Sequence, residues 1–333
     1  MTNPKYDGKI LVTGGTGFVG SHLVDQLVER GYKVKCLARQ QSNLEYLKHS
    51  EIEIVYGSLD NATDWDSALE GVDTIYHAAG LTHARRKKDY FAVNHQGTEA
   101  ILAAALKWRK QIRRFVYISS LAAIGPAVVG HPVNEDSQPA PINAYGRSKL
   151  MGEEATRAVA DLLPVTIVRP PAVYGPRDTA LHQLFKSVSR GIAPTIGNYE
   201  KHVSLVHVRD LVKGIILAGE SKASVSRSYF ISSEQVYSTS SIFELLAQIF
   251  NRKVRTIAIP HSASYLGAIA VEVMARLTGK SPVTSRDRVR ALSQPYWGCS
   301  IDRARNELGY REQVSLEEGM RETIDWYRRE GWL

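Results

Sequence analysis

Short apolar runs alternate with amphipathic stretches through the first half of this chain. Residues 9–13 read as a buried strand, and 18–30 place Val19, Leu23, Leu27 and Val28 on one side at helical spacing. Further short strands are expected at 33–38, 53–56, 74–77, 115–119 and 165–169, separated by helical patterns. That alternation predicts an α/β fold, a doubly wound parallel sheet with right-handed crossovers. After Pro176 the pattern loosens, as expected for a smaller C-terminal lobe. The chain should return to the sheet around 204–208 and again at 228–231. The expected division is residues 1–175, with a return around 202–232, against 176–201 and 233–333. In the second part, residues 257–278 carry an apolar stretch, Tyr265 to Val271, too short and interrupted for a bilayer span and better suited to a lid or wall helix.

The turn between the first strand and helix reads Thr13-Gly14-Gly15-Thr16-Gly17-Phe18-Val19-Gly20. A strand before and a helix after give this glycine pattern the context of a dinucleotide-binding, Rossmann-type unit. Gly14 permits the tight turn, Gly17 the close approach of a pyrophosphate, and Gly20 the packing of helix on strand. The anion would rest on backbone N–H groups through Thr16, Phe18 and Val19, at the positive end of the helix dipole. The second strand ends Leu37-Ala38-Arg39-Gln40, without the acid that would hold the ribose hydroxyls of NAD. Arg39 suits the additional phosphate of NADP, so NADP is favoured over NAD. A solvated arginine is the plainer alternative.

Midway stands Tyr145-Gly146-Arg147-Ser148-Lys149, shortly after Ser119-Ser120. A free tyrosine, with a pKa near about 10, is a poor base at neutral pH. Lys149 follows by one helical turn, so its charge, with that of an oxidised nicotinamide, would favour the phenolate. Tyr145 could then take a proton from a substrate hydroxyl as hydride leaves, or return one in reverse. Ser120, with Ser119 the competing choice, would hold the substrate oxygen. An amphipathic helix carrying Tyr and Lys by chance is the alternative, and the glycine turn upstream argues against it.

With these motifs the chain resembles the extended short-chain dehydrogenase/reductase superfamily, the NAD(P)-dependent epimerase/dehydratase group. The ordered series continues through Gly57-Ser58-Leu59-Asp60, His77-Ala78-Ala79-Gly80, Val93-Asn94-His95-Gln96-Gly97-Thr98, Val168-Arg169-Pro170-Pro171-Ala172-Val173-Tyr174-Gly175-Pro176 and Val206-His207-Val208-Arg209-Asp210. The resemblance implies Ser58 and Leu59 beside the adenine, Ala78, Ala79, Gly80 and Asn94 along the cofactor, Lys149 on the nicotinamide ribose, and Pro171 near the carboxamide. It also implies a homodimer formed through helices near 91–108 and 145–160. Members commonly have aspartate at the place of Ser58. Nucleotide-sugar epimerases usually carry asparagine at the place of Ala172 and an arginine near Val203. Without those groups the chain is most similar to the 3β-hydroxysteroid dehydrogenase and dihydroflavonol reductase branch. That similarity implies hydroxyl/ketone interconversion on a largely apolar small molecule. The alternatives are a nucleotide-sugar 4-epimerase or dehydratase that retains NAD, and a non-catalytic NADP-sensing binding protein.

The remaining composition narrows the picture. The 333 residues are 44% hydrophobic, enough for a sizeable core, with no internal repeat or low-complexity linker. A net charge of +8 lacks the basic–aromatic interleaving of nucleic-acid binders. The dense cluster Arg85-Arg86-Lys87-Lys88 is either a solvated loop or a rim that attracts an acidic substrate. Two distant cysteines give no disulfide framework, and no histidine spacing suggests a metal. The polar start of the chain makes the cytoplasm the expected location.

Overall fold

The computed structural model describes residues 8–59, 63–278 and 285–333. Its first half alternates as the pattern predicts: β1 (Lys9–Thr13), α1 (Phe18–Glu29), β2 (Val34–Ala38), β3 (Ile52–Tyr56), α2 (Trp65–Leu69) and β4 (Val72–His77). Then follow α3 (Lys87–Phe91), a π-helical turn (Ala92–Gln96), α4 (Gly97–Lys107), β5 (Arg114–Ile118), α5 (Ala144–Ala158) and β6 (Val165–Arg169). Next come β7 (Ala172–Tyr174), α6 (His182–Ser189), β8 (Ile192–Ile196), β9 (His202–His207), α7 (Val208–Glu220) and β10 (Arg227–Phe230). The chain ends with β11 (Val236–Ser238), α8 (Thr239–Phe250), β12 (Arg255–Ile259), α9 (His261–Thr278), α10 (Arg286–Leu292), β13 (Tyr296–Trp297), α11 (Asp302–Leu308) and α12 (Leu316–Arg329).

Seven parallel strands form the main sheet in the order β3-β2-β1-β4-β5-β6-β10. β1, β2, β4, β5 and β6 are covered on both faces, and their largely apolar sequences follow from that, with Asp73, Thr74 and His77 of β4 among the buried polar exceptions. One core packs α1 and α7 on the sheet through Leu23, Leu27, Leu211 and Ile215. The other packs α2 and α4 on the opposite face through Leu69, Ile101, Leu102 and Ala105. A third core, holding Tyr174, Phe185, Leu246, Ile324 and Tyr327, belongs to the smaller lobe. Strand order reverses between β1 and β4, which opens a crevice at the carboxyl ends of those strands.

The expected return to the sheet at 204–208 is corrected here. β9 joins a second sheet with β7, β11 and β13, and only β10 returns to lie beside β6. Pro170 and Pro171 explain the departure: neither has an N–H to extend the β6 ladder, so the chain leaves the main sheet and re-forms as β7. The expected helix at 91–108 is likewise interrupted by the π-helical turn. Asp60 of the Gly57–Asp60 motif lies outside the described residues.

Candidate active site

At the β1–α1 turn each glycine has a geometric reason. Gly14 sits at φ +75°, and a Cβ there would lie 2.6 Å from the Ala79 backbone nitrogen. A Cβ on Gly20 would meet the Gly14 carbonyl at 2.1 Å, so helix and turn touch through bare backbone. Gly17 occupies the N-cap of α1 and donates to the Gly14 carbonyl at 3.0 Å, leaving no side chain over the first turn. Thr16, Phe18 and Val19 follow the turn into the helix. This is a cradle in which backbone N–H groups can face an anion, and it fits a dinucleotide pyrophosphate. Gly15 went unremarked in the sequence: its missing side chain clears the buried Cys36 thiol on β2, whose Sγ would lie 2.4 Å from a Cβ. Only the fold could show that contact.

Beneath the turn a buried hydrogen-bond chain joins β1 to β4. The Ala79 N–H donates to Thr13 Oγ1 at 3.3 Å, and the Thr13 hydroxyl lies 2.7 Å from His77 Nδ1. His77 Nε2 lies 3.0 Å from Thr98 Oγ1, which itself donates to the Asn94 carbonyl at 2.9 Å. Because Thr98 spends its proton on Asn94, His77 must donate from Nε2 and accept at Nδ1. Burial pushes the imidazole pKa down to about 3, in keeping with that neutral form. The role of His77 is to position Ala78 and Ala79, half-buried at the crevice, while Gly80 is exposed there.

Asn94 is buried in the π-helical turn, a feature that recurs at functional sites. Its Oδ1 accepts from the Leu81 N–H at 2.7 Å, and its Nδ2 donates to the Leu81 carbonyl at 3.0 Å and to Ser148 Oγ at 2.9 Å. The side chain therefore clamps the strand-end loop to α5. Gly97, three residues on, makes room for Leu59, whose Cβ would lie 2.7 Å from a Cβ there. Ser58 is fixed through its backbone, whose N–H donates to Thr63 Oγ1 at 2.7 Å.

Asn143 caps α5 by accepting from the Gly146 N–H at 2.7 Å, which sets the helix start one residue before Tyr145. Tyr145, Lys149, Glu153 and Arg157 then recur at four-residue spacing on one side of α5. The half-buried Tyr145 phenol faces Ser120, whose side chain favours its ionised form. Ser120 begins a short 3₁₀ turn after β5, whereas Ser119 is buried with no hydrogen-bond partner among the described residues for its hydroxyl. The structure thus brings Ser120, the preferred choice, to the tyrosine.

Lys149 is buried, donates to the Ile118 carbonyl at 2.6 Å and lies 4.4 Å from the Tyr117 ring centre. Burial lowers its pKa to about 7, against the opposing charge of Glu153. Burial also raises the Tyr145 phenol above its ordinary value, while the neighbouring Ser120 side chain works the other way. With the amine engaged at Ile118, desolvation is the largest influence on both groups and favours both neutral forms. Further along, Glu153 is gripped by Arg169 through bonds of 2.9 and 2.7 Å and by Arg157 at 3.2 Å. In the sequence Arg169 stands out only as part of a motif, and Glu153 belongs to none. The four-residue spacing from Lys149 was the available signal.

Of the other expected residues, Arg39 is exposed at the carboxyl end of β2, on the same edge of the sheet as the glycine turn. Pro171 is buried just before β7, and Ala172 is exposed on that strand. The basic cluster is partly engaged: Arg86 pairs with Asp89 at 3.1 Å and Lys87 with Asp287 at 3.3 Å. Asp287 also accepts from the Ala144 N–H at 3.0 Å, so α10 is tied to the head of α5. Among the described residues no group of three or more His, Cys, Asp or Glu could hold a metal ion.

A glycine-cradled switch point with a Tyr–Lys–Ser group beside it defines an enzyme of the extended short-chain dehydrogenase/reductase class. The chain belongs to the NAD dependent epimerase/dehydratase family, whose model matches residues 10–232. It is 29% identical to a ceramide reductase of Caulobacter vibrioides over 98% of this chain and 96% of that protein. It is 28% identical to a UDP-glucose 4-epimerase of Vibrio cholerae over 96% of this chain and 95% of that protein. Among solved structures, gox2253 superposes with a TM-score of 0.81 at 27% identity, covering 98% of this chain and 100% of that one.

Proposed function

We propose that this protein interconverts a hydroxyl and a ketone on a largely apolar small molecule, using a dissociable nicotinamide dinucleotide with NADP preferred. The observation that carries the reading is the Tyr145 phenol set against Ser120, one helical turn ahead of the buried Lys149 on α5. The bound cofactor would supply or accept the hydride. Gly14, Thr16, Gly17, Phe18, Val19 and Gly20 would hold its pyrophosphate, Arg39 the adenosine phosphate, and Ser58 and Leu59 the adenine side. Ala78, Ala79, Gly80 and Asn94 would line its path, with Pro171 at the nicotinamide end.

Tyr145 is the proposed proton carrier. Burial keeps its phenol protonated, the form that donates to a ketone oxygen as the carbon is reduced. Ser120 would donate a second hydrogen bond to the same oxygen and fix its direction. Lys149, uncharged or charged near neutral pH, would hold the ribose and replenish the phenol proton.

Exposed Ala172 on β7 and Val203 on the adjoining β9 offer no donor to a diphosphate, which supports an apolar substrate over a nucleotide sugar. Similarity to a ceramide reductase agrees with that choice. Similarity to an epimerase supports the second reading, in which the same trio oxidises and re-reduces a sugar on retained NAD. The test is Tyr145→Phe in the purified enzyme, screened with NADPH against long-chain and polycyclic ketones and, separately, against UDP-sugars. Turnover of an apolar ketone should fall by about a thousandfold or more, with NADPH binding retained within about threefold. Full activity in the variant would overturn the mechanism. Sugar epimerisation with tightly retained NAD would establish the second reading, and cofactor binding with no turnover of any substrate would point to the sensing protein.

A further inference from the structure

The positive charge of this chain is concentrated. Between Asn251 and Leu292 the sequence has eight Lys or Arg against two acids, Glu272 and Asp287, so this stretch carries +6 of the net +8. Both acids are already engaged, Glu272 with Arg286 at 3.0 Å and Asp287 with Lys87 at 3.3 Å. Arg252, Lys253 and Arg255, at the head of β12, are all exposed.

The same stretch is where apolar side chains are left uncovered. β12 pairs in parallel with β8, placing Ile257 beside Pro194 and Ile259 beside Ile196, with Arg255 beside Ile192. Paired residues of parallel strands share a face, so one side of this ribbon is almost wholly apolar and ends in an arginine. Ile192, Ile257 and Ile259 are 42, 48 and 37% exposed. The ribbon runs on through Pro260 into α9, and the stacked rings of Tyr199 and His261, with centres 5.8 Å apart, tie the two together. On α9, Leu266, Val273 and Met274 are 66, 47 and 58% exposed, and their spacing of seven to eight residues puts them on one side of the helix. Apolar side chains left uncovered in this number on neighbouring elements mark a site of association.

We propose that this face seats the protein on an anionic lipid bilayer. Leu266, Val273, Met274, Ile257 and Ile259 enter the boundary between headgroups and hydrocarbon, and Arg252, Lys253 and Arg255 meet the phosphates. Uncovered hydrocarbon beside surplus cationic charge fits such a surface. The contact lies in the plane of the membrane, since among the described residues no helix is long and apolar enough to cross it. This inference goes beyond the proposed reaction and stands without it.

The test is co-sedimentation of the full chain with phosphatidylcholine vesicles, with and without about 30 mol% phosphatidylglycerol. The bound fraction should be at least about tenfold higher on the anionic vesicles and should fall as salt is raised. Leu266→Glu with Met274→Glu should abolish it, and Arg252→Glu with Arg255→Glu should reduce it about tenfold or more. Thermal unfolding and NADPH binding of both variants, unchanged from wild type, would show that the fold and the glycine turn are intact. Equal retention on neutral and anionic vesicles, or retention unaffected by the substitutions, would overturn the proposal. So would a wild-type dimer that becomes monomeric in Leu266→Glu/Met274→Glu without any vesicle binding, since a second copy would then cover the face.

Discussion

Arg39 leaves the sheet at the carboxyl end of β2 with its side chain in solvent, where a guanidinium can close on a phosphate dianion at little reorganisation cost. Arg39→Ala should therefore weaken NADPH by about 10- to 100-fold and NADH by less than about threefold, as read by calorimetric titration of each. Equal losses would show that Arg39 does not read the phosphate. Residues of this kind were legible because their chemistry is local: an arginine in place of an acid, a Tyr and a Lys one turn apart, three glycines in a turn. Choosing between Ser119 and Ser120 was harder. Adjacent residues on an extended strand end face opposite ways, and only the fold shows Ser119 pointing inward and Ser120 toward Tyr145. Gly15 and Cys36 lie beyond such reading, since their contact joins two elements through a missing side chain.

Elements were legible where burial on both faces leaves a short, mostly apolar run, as in β1, β5 and β6. β9 carries a similar short run, Val203 to Val206, and its pattern could not tell the main sheet from the second one. The π-helical turn was invisible for another reason: it widens a helix without changing which residues are apolar. Its consequence falls on Asn94, which faces inward and joins the Leu81 backbone to Ser148 on the catalytic helix. Asn94→Ala would leave the Leu81 N–H, the Leu81 carbonyl and the Ser148 hydroxyl short of partners. We expect a loss of about 2–4 kcal/mol in urea unfolding, together with weaker dinucleotide binding because the loop from Ala78 to Leu81 is released. Asn94→Asp keeps the acceptor for Leu81 but not the donor, and should fall between the two. Stability unchanged in the alanine variant would remove the clamp from this account.

Across the whole molecule, buried titratable groups set the pH range in which it stays folded. His77 and His207 are almost fully buried, and desolvation lowers the pKa of each to about 3; His22, half-buried with its ring bonded to the Pro176 carbonyl at 2.9 Å, is lowered to about 4. In the unfolded chain all three titrate near about 6.5, so between these limits the unfolded state binds more protons. Their contribution is complete above about pH 6.5 and is lost as pH falls toward 4 and below. His77 and His207 alone give a slope of about 3 kcal/mol per pH unit once both are protonated in the unfolded state. Lys149, lowered to about 7, acts in the same sense at higher pH: its cost to folding fades as pH rises from 7 toward its unfolded value. The opposite limb comes from the buried thiols of Cys36 and Cys299, raised to about 12, whose contribution is lost as pH climbs from 9 toward that value. Urea midpoints measured from pH 4 to pH 11 should therefore rise steeply to about pH 6.5, continue upward more gently to about pH 8–9, and then decline. His77→Gln and His207→Gln together should flatten the acid limb even if they lower the maximum, because an amide has no proton to gain. An acid limb equally steep in that double variant would place its origin in the carboxylates instead.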